Sequence, residues 1–93
     1  MEPKALAHSE KDSVAVAVED IKKGEEVVVA YLDSPRLVKV RSLSDVPLGH
    51  KIALRNLKKG EVVLKYGEPI GIAVTDIREG EHIHVHNLRS ARW

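Results

Sequence analysis

The sequence predicts an all-β domain. Apolar residues recur mostly at every second position, the runs are short and rich in β-branched residues, and each run is bounded by Gly, Pro, Asp or Asn. No window holds an apolar stripe at helical spacing for longer than one turn. At 93 residues the chain is expected to make one domain, spanning 1–93.

Taken in order, residues 13–18 alternate, with Val14, Val16 and Val18 on one face and small residues on the other. Residues 26–31 are a β-branched run, and Asp33-Ser34-Pro35 turns it back into residues 36–41 as a hairpin. Runs 51–54, 61–66, 70–74 and 82–86 continue the pattern. Between Tyr66 and Gly71 two glycines flank Pro69, which predicts a bent loop that suits either a sharp strand crossing or a ligand contact. The basic tail from residue 87 to Trp93 reads as a frayed end or a docking arm, and an exposed terminal Trp favours docking.

The connections repeat. Asp20-Ile21-Lys22-Lys23-Gly24-Glu25 is echoed by Asn56-Leu57-Lys58-Lys59-Gly60-Glu61 and by Asp76-Ile77-Arg78-Glu79-Gly80-Glu81. Asp45-Val46-Pro47-Leu48-Gly49-His50 is a degenerate fourth copy. The spacing predicts a turn in which Asp or Asn bonds its own backbone two residues on, the aliphatic residue enters the core, and Gly takes a positive φ. Uneven intervals exclude a solenoid of equal repeats.

Composition removes several functions. The net charge of +1 and the scarcity of aromatics give no basis for nucleic-acid binding. There is no cysteine, hence neither a disulfide nor a thiolate metal site. No apolar run approaches the roughly 20 residues of a membrane span, and no signal peptide is evident, so a cytoplasmic location is expected. Walker-type loops, G-x-G-x-x-G and G-x-S-x-G are missing.

Candidate chemistry lies in the histidines. His82, His84 and His86 alternate with Ile83 and Val85, so a strand here would put three imidazoles on one face. That face is either polar and solvated or part of a ligand or metal site. An H-x-H pair such as His84/His86 supplies two ligands, and the rest must come from elsewhere. His50, between Gly49 and Lys51, would set an acid/base group beside a cation. His8 lies near a strand edge, with Asp12 four residues on.

Four blocks of the chain resemble the small subunit, or N-terminal domain, of the altronate/galactarate dehydratase family. They are His8 with Asp12-Ser13-Val14-Ala15-Val16-Ala17, Pro47-Leu48-Gly49-His50-Lys51-Ile52-Ala53-Leu54, Lys65-Tyr66-Gly67-Glu68-Pro69-Ile70-Gly71-Ile72-Ala73, and the stretch from Asp76 to Asn87. The resemblance covers nearly the whole chain and implies a SAF-type domain of β-clip fold. It implies a lyase that removes the proton next to a carboxylate and expels a β leaving group, water or sulfite. In the family the domain is either fused to a large catalytic region or, as in sulfolactate sulfo-lyase, a separate small subunit; a chain of this length ending at Trp93 resembles the latter. The implied partners are a large catalytic subunit and a hydroxy-acid substrate. The implied cofactor is a divalent metal, Fe(II), shared with or held by that subunit. Carried onto this sequence, His50 and His8 are the expected catalytic residues. Lys51, Tyr66, Gly67 and Gly71 are expected at the substrate, and His84 and His86 at the metal. Ser13 departs from the family's usual Asn. A non-catalytic acid-, sugar- or partner-binding SAF module is the alternative, and an exposed sheet edge would allow copies of the chain to pair.

Overall fold

A computed structural model of the chain describes residues 2–90. These form nine strands and no α-helix: β1 (Ala5–Ala7), β2 (Val14–Ala17), β3 (Glu26–Tyr31), β4 (Leu37–Arg41), β5 (Lys51–Ala53), β6 (Val62–Lys65), β7 (Glu68–Ala73), β8 (His82–Ile83) and β9 (Leu88–Ser90). One sheet runs β4-β3-β1-β2-β5-β8 and a second runs β6-β7-β9. All pairings are antiparallel except β1 with β3. The all-β expectation holds, and curled sheets of short strands are consistent with a SAF-type β-clip.

The expected hairpin is present, with β3 and β4 in register from Glu26↔Arg41 to Ala30↔Leu37. Strand β1 was not anticipated, because Ala-Leu-Ala is too short and too small to give a periodic signal. It nevertheless fills the centre of the large sheet, with Ala5 and Ala7 fully buried. Two core clusters lie on opposite sides of β2 and β5. Ala15, Ala17 and Ile52 face one, with Val27, Val29 and Val40; Val14 and Ala53 face the other, with Val63, Ala73 and Ile83. This is why β2 and β5 carry apolar residues at successive positions.

The repeated turns join the molecule in pairs. Ile21 and Val46 exchange backbone hydrogen bonds of 2.9 Å in each direction, and Leu57 and Ile77 do so at 2.8 Å. The Asp and Asn side chains do not bond their own turn, as the sequence suggested. Asp20 Oδ1 accepts from Leu48 N and Asp45 Oδ1 from Lys23 N; likewise Asn56 Oδ1 accepts from Glu79 N and Asp76 Oδ1 from Lys59 N. Each side chain thus satisfies a backbone donor in the opposite turn, forming two reciprocal clasps. All four central aliphatics are buried, Ile21 and Val46 in the first cluster and Leu57 and Ile77 in the second. The glycines that close the turns, Gly24, Gly49, Gly60 and Gly80, have φ between 86° and 89°, as expected.

Two further expectations change. Residues 66–71 are not an open loop. Tyr66 (φ 57°) and Gly67 (φ 72°) are the central pair of a two-residue turn with positive φ at both positions, and β7 begins at Glu68. Pro69 is tolerated because a register shift between Val63 and Leu64 interrupts the ladder there. The tail is not frayed over its first part. Leu88–Ser90 is β9, paired with β7, while Trp93 lies outside the described residues. Gly71 sits where β9 crosses closest, and a Cβ there would run into the Arg89 carbonyl. Gly71→Ala is therefore expected to cost about 1–3 kcal/mol through overpacking, measured as a lower urea midpoint with an unchanged slope.

Candidate functional site

Strand β8 lasts two residues, so the run 82–86 is not a continuous strand and its three imidazoles are not aligned by alternation. After Ile83 the chain turns. Asn87, buried, closes that turn: its Oδ1 accepts from His84 N at 3.0 Å and its Nδ2 donates to His82 O at 2.8 Å. Ser44 Oγ accepts from His82 N at 3.0 Å. His82 is thereby held from both sides of its backbone.

The turn still brings the histidines together, and it adds His50. His50 Nδ1 and His82 Nε2 share a hydrogen bond of 2.8 Å. The His50 ring stacks on His84 with centroids 4.0 Å apart, and His86 lies 5.1 Å from His82. His82 was recognised in the sequence only as one member of an alternating face; its pairing with His50, 32 residues away, has no local signal. Burial first, then the nearby His86, His50 and His84, pushes the His82 imidazole below its ordinary value. His84 is pushed the same way by desolvation and then by His50, Lys51 and His86. Both shifts favour neutral rings.

The clasps explain why His50 is available. In three copies of the turn the residue after the glycine is Glu, and its Oε1 accepts from the backbone N–H three residues earlier. The pairs are Glu25 with Lys22, Glu61 with Lys58 and Glu81 with Arg78, each at 3.1 Å. In the fourth copy Pro47 takes the place of the donor and has no N–H. The structural need for Glu is gone, and His50 stands in its place.

Beside this cluster is a cleft of about 610 Å³, lined on the polar side by Lys51, Lys65, His84, Arg89 and Ser90 and on the apolar side by Ile70, Val74, Val85 and Leu88. It has three cationic side chains and no carboxylate in its lining. Lys51 is half-buried; desolvation and then the charge of Lys65 lower its affinity for a proton. An anion bound here would relieve both effects.

The structure does not bring His8 into this cleft. Its ring meets Tyr66 edge-on at 5.6 Å, and both line a second cleft of about 450 Å³ with Lys11, Asp33 and Gly67. The two clefts flank the β6–β7 turn, with Lys65 in one and Tyr66 in the other. Asp12 ties that turn down. Its carboxylate accepts from Gly67 N and His8 N, each at 2.9 Å. Burial works against the charge, but the backbone donors of Gly67, His8, Tyr66 and Ser9 outweigh it and hold the carboxyl below its ordinary range. Asp12 thus organises the turn and is a poor general base. Ser13, where the family's usual Asn was expected, is a buried stitch between strands, its Oγ accepting from Leu64 N and Arg55.

A depressed carboxyl contributes stability above its unfolded value, about 3.9, and that contribution is lost as pH falls through the lower folded value. Asp12→Asn is therefore expected to destabilise the protein at pH 7 by about 2 kcal/mol, the scale of a lost charge-assisted hydrogen bond. The gap between the two melting curves should narrow as pH falls below about 3.9. A gap that does not narrow on acidification contradicts this account.

Among the described residues no group of three or more His, Asp or Glu side chains converges as a ligand set. The closest pair of nitrogens, on His50 and His82, is engaged in a mutual hydrogen bond. The expected His84/His86 pair shows no ring contact with each other; each contacts His82 instead. The donors among the described residues therefore do not make a metal centre by themselves. No helix among the described residues is long and apolar enough to cross a membrane.

A profile of the altronate/galactarate dehydratase SAF domain matches residues 3–91. The chain is 38% identical over 89 residues to (2R)-sulfolactate sulfo-lyase subunit alpha of Chromohalobacter salexigens, covering 95% of both chains. It is 45% identical over 80 residues to altronate dehydratase of Bacillus subtilis and 47% identical over 79 residues to that of Escherichia coli. It spans 15% of the length of each of these two, and 86% and 85% of this chain is matched. The extent of these matches, joined to an all-β fold with the expected turn repeats, shows that the chain belongs to the altronate/galactarate dehydratase SAF-domain family.

Proposed function

We propose that this chain is the small subunit of a hydroxy-acid lyase and completes an active site with a separate large catalytic subunit. The observation that carries this reading is the cleft lined by Lys51, Lys65 and Arg89, free of carboxylates and adjoining the His50–His82–His84 cluster. It is supported by similarity to a sulfo-lyase subunit alpha over nearly the whole chain.

The reaction is a β-elimination. A base takes the proton from the carbon next to the substrate carboxylate, and the electron pair expels the group on the next carbon, either sulfite or a hydroxyl that takes up a proton and departs as water. The enol formed then becomes a 2-oxo acid. Lys51, Lys65 and Arg89 bind the anionic groups and offset the charge that grows on the carboxylate as the proton leaves. His50 is the acid/base group. Its Nδ1 is committed to His82, which leaves Nε2 to exchange the proton and fixes the ring's orientation. His84 stacks on His50 and forms the cleft wall. His8, Tyr66 and Gly67 line the second cleft, on the other side of the β6–β7 turn from the cationic one, and no step here is assigned to them. Gly71 is outside the cleft lining and is given no binding role in this reading; its close packing against β9 is what the structure shows for it. A divalent ion, Fe(II), belongs in this reading to the large subunit, and no step here is derived through it.

The test is a lyase assay of the chain mixed with the large subunit from the same organism, on sulfolactate, altronate and galactarate. Lys51→Met should raise KM by about tenfold or more, the value of one charge-assisted hydrogen bond, with a smaller change in kcat. An unchanged KM removes Lys51 from the binding site. A stable complex inactive on all three acids points to a non-catalytic binding module.

A further inference from the structure

We propose that the outer face of β7, together with the rim of the cleft beside it, is the surface on which the large catalytic subunit docks, through an apolar contact flanked by an acidic group of that subunit facing Lys59. The identity of the partner rests on the lyase-subunit reading; the location of the surface does not.

Beyond its exposed start at Glu68 and Pro69, strand β7 is apolar on both faces. Gly71 and Ala73 point into the second core cluster's side and are buried. On the opposite face, where a solvated antiparallel sheet carries polar residues, are Ile72 (40% exposed) and, just past the strand, Val74 (41%). Val62 (46% exposed) is directly opposite Ile72 on β6. Val85, at the tip of the turn that Asn87 closes, is 82% exposed. A groove of about 380 Å³ runs along this face, lined by Lys59, Gly60, Ile72, Ala73, Val74 and Arg89. Val74 and Arg89 also line the cationic cleft, so the two form one surface.

Its charge is one-sided. Lys51, Lys59, Lys65 and Arg89 line the combined surface and no carboxylate does, although the chain has 14 Asp and Glu residues. This argues against a second copy of the chain as the occupant. A twofold interface sets a patch against itself, and here it would oppose cation to cation. With Lys51, Lys65 and Arg89 facing the substrate in the cleft, Lys59 is the cation left beside the apolar patch, and it fits a carboxylate at the edge of a partner's apolar patch. The relatives supply such a partner by arrangement: in the altronate dehydratases the matched region is 15% of a longer chain, and in the sulfo-lyase it is a separate subunit alpha. A body seated on β7 would also cover the open side of the cleft, which an elimination needs for excluding water.

The experiment measures binding of the full chain to the purified large subunit by calorimetry. It compares wild type with Ile72→Glu, Lys59→Glu and His50→Ala, each checked for an unchanged thermal midpoint. Ile72→Glu should weaken binding at least about 30-fold, and Lys59→Glu about tenfold at low salt with the difference fading as salt rises. His50→Ala should bind like wild type. Ile72→Glu binding within threefold of wild type overturns the proposal. Should Ile72→Glu fail to fold, Lys59→Glu decides alone, and a wild-type affinity for it overturns the proposal. A wild-type chain that self-associates, and that Ile72→Glu makes monomeric, also overturns it, in favour of a second copy. Weakened binding by Ile72→Glu in a complex inactive on every acid supports the docking surface while removing the lyase reading. No binding by the wild type removes both.

Discussion

His50→Ala is expected to lower the turnover of the two-subunit enzyme by a factor of about 10²–10⁴, the usual contribution of a positioned acid/base group, while leaving assembly intact. Three features of His50 converge on this. It replaces the Glu that the other three turns need, at the one turn whose donor is removed by Pro47. It is hydrogen-bonded to a second imidazole through Nδ1. It stacks on the histidine that forms the cleft wall. Steady-state kinetics on the preferred acid, with calorimetry of the same variant against the large subunit, separates chemistry from assembly. Turnover within threefold of wild type would remove His50 from the reaction. His82→Ala should lose less rate but change the pH profile, because it removes the imidazole that orients His50 and whose own affinity for a proton is lowered. A structural role would lower activity equally at every pH.

The second large effect is on stability. Leu57→Ala should cost about 3 kcal/mol, within the range for a fully buried leucine. Leu57 lies at the centre of a clasp: its backbone exchanges two hydrogen bonds with Ile77, and its side chain is buried in the second core cluster. A domain of about this size loses roughly 4–8 °C of Tm per kcal/mol, so a fall of about 12–24 °C is expected by calorimetry. Leu48, one turn position after Pro47, is an instructive control. It is exposed, and Leu48→Ala should change stability by no more than about 0.5 kcal/mol. Equal losses at both positions would show that the clasp contributes nothing beyond generic apolar content.

The relation between sequence and fold is instructive at these same turns. Their repetition, the burial of the central aliphatic and the positive φ of the glycine follow from local chemistry, and the structure has all three. The pairing of the turns does not follow. Asp20 reaches Leu48 and Asn56 reaches Glu79, 28 and 23 residues away, and period or propensity carries no information on such partners. The same limit applies at the candidate site. Alternation of His82, His84 and His86 drew attention to a segment whose rings the structure gathers, but for a geometric reason that fails after Ile83, where Asn87 turns the chain. Asn87 itself had a weak signal, as a turn-forming residue directly after an apolar-polar alternation. Strand β1 and the His50–His82 contact were hidden for opposite reasons. Alanines give too little periodic contrast, and a contact between distant segments leaves no local pattern. The cationic cleft was legible only in part. Lys51 was expected there on the strength of family resemblance, whereas Lys65 and Arg89 join it through the pairing of β7 with β6 and β9.

The central claim is that this chain completes an active site it does not contain alone. The most direct test titrates the chain into a fixed amount of Fe(II)-loaded large subunit and follows 2-oxo acid formation. The account predicts no turnover by either subunit alone, and activity that rises with added chain and saturates at one chain per large subunit. Full turnover by the large subunit alone, unchanged by adding the chain, would contradict it.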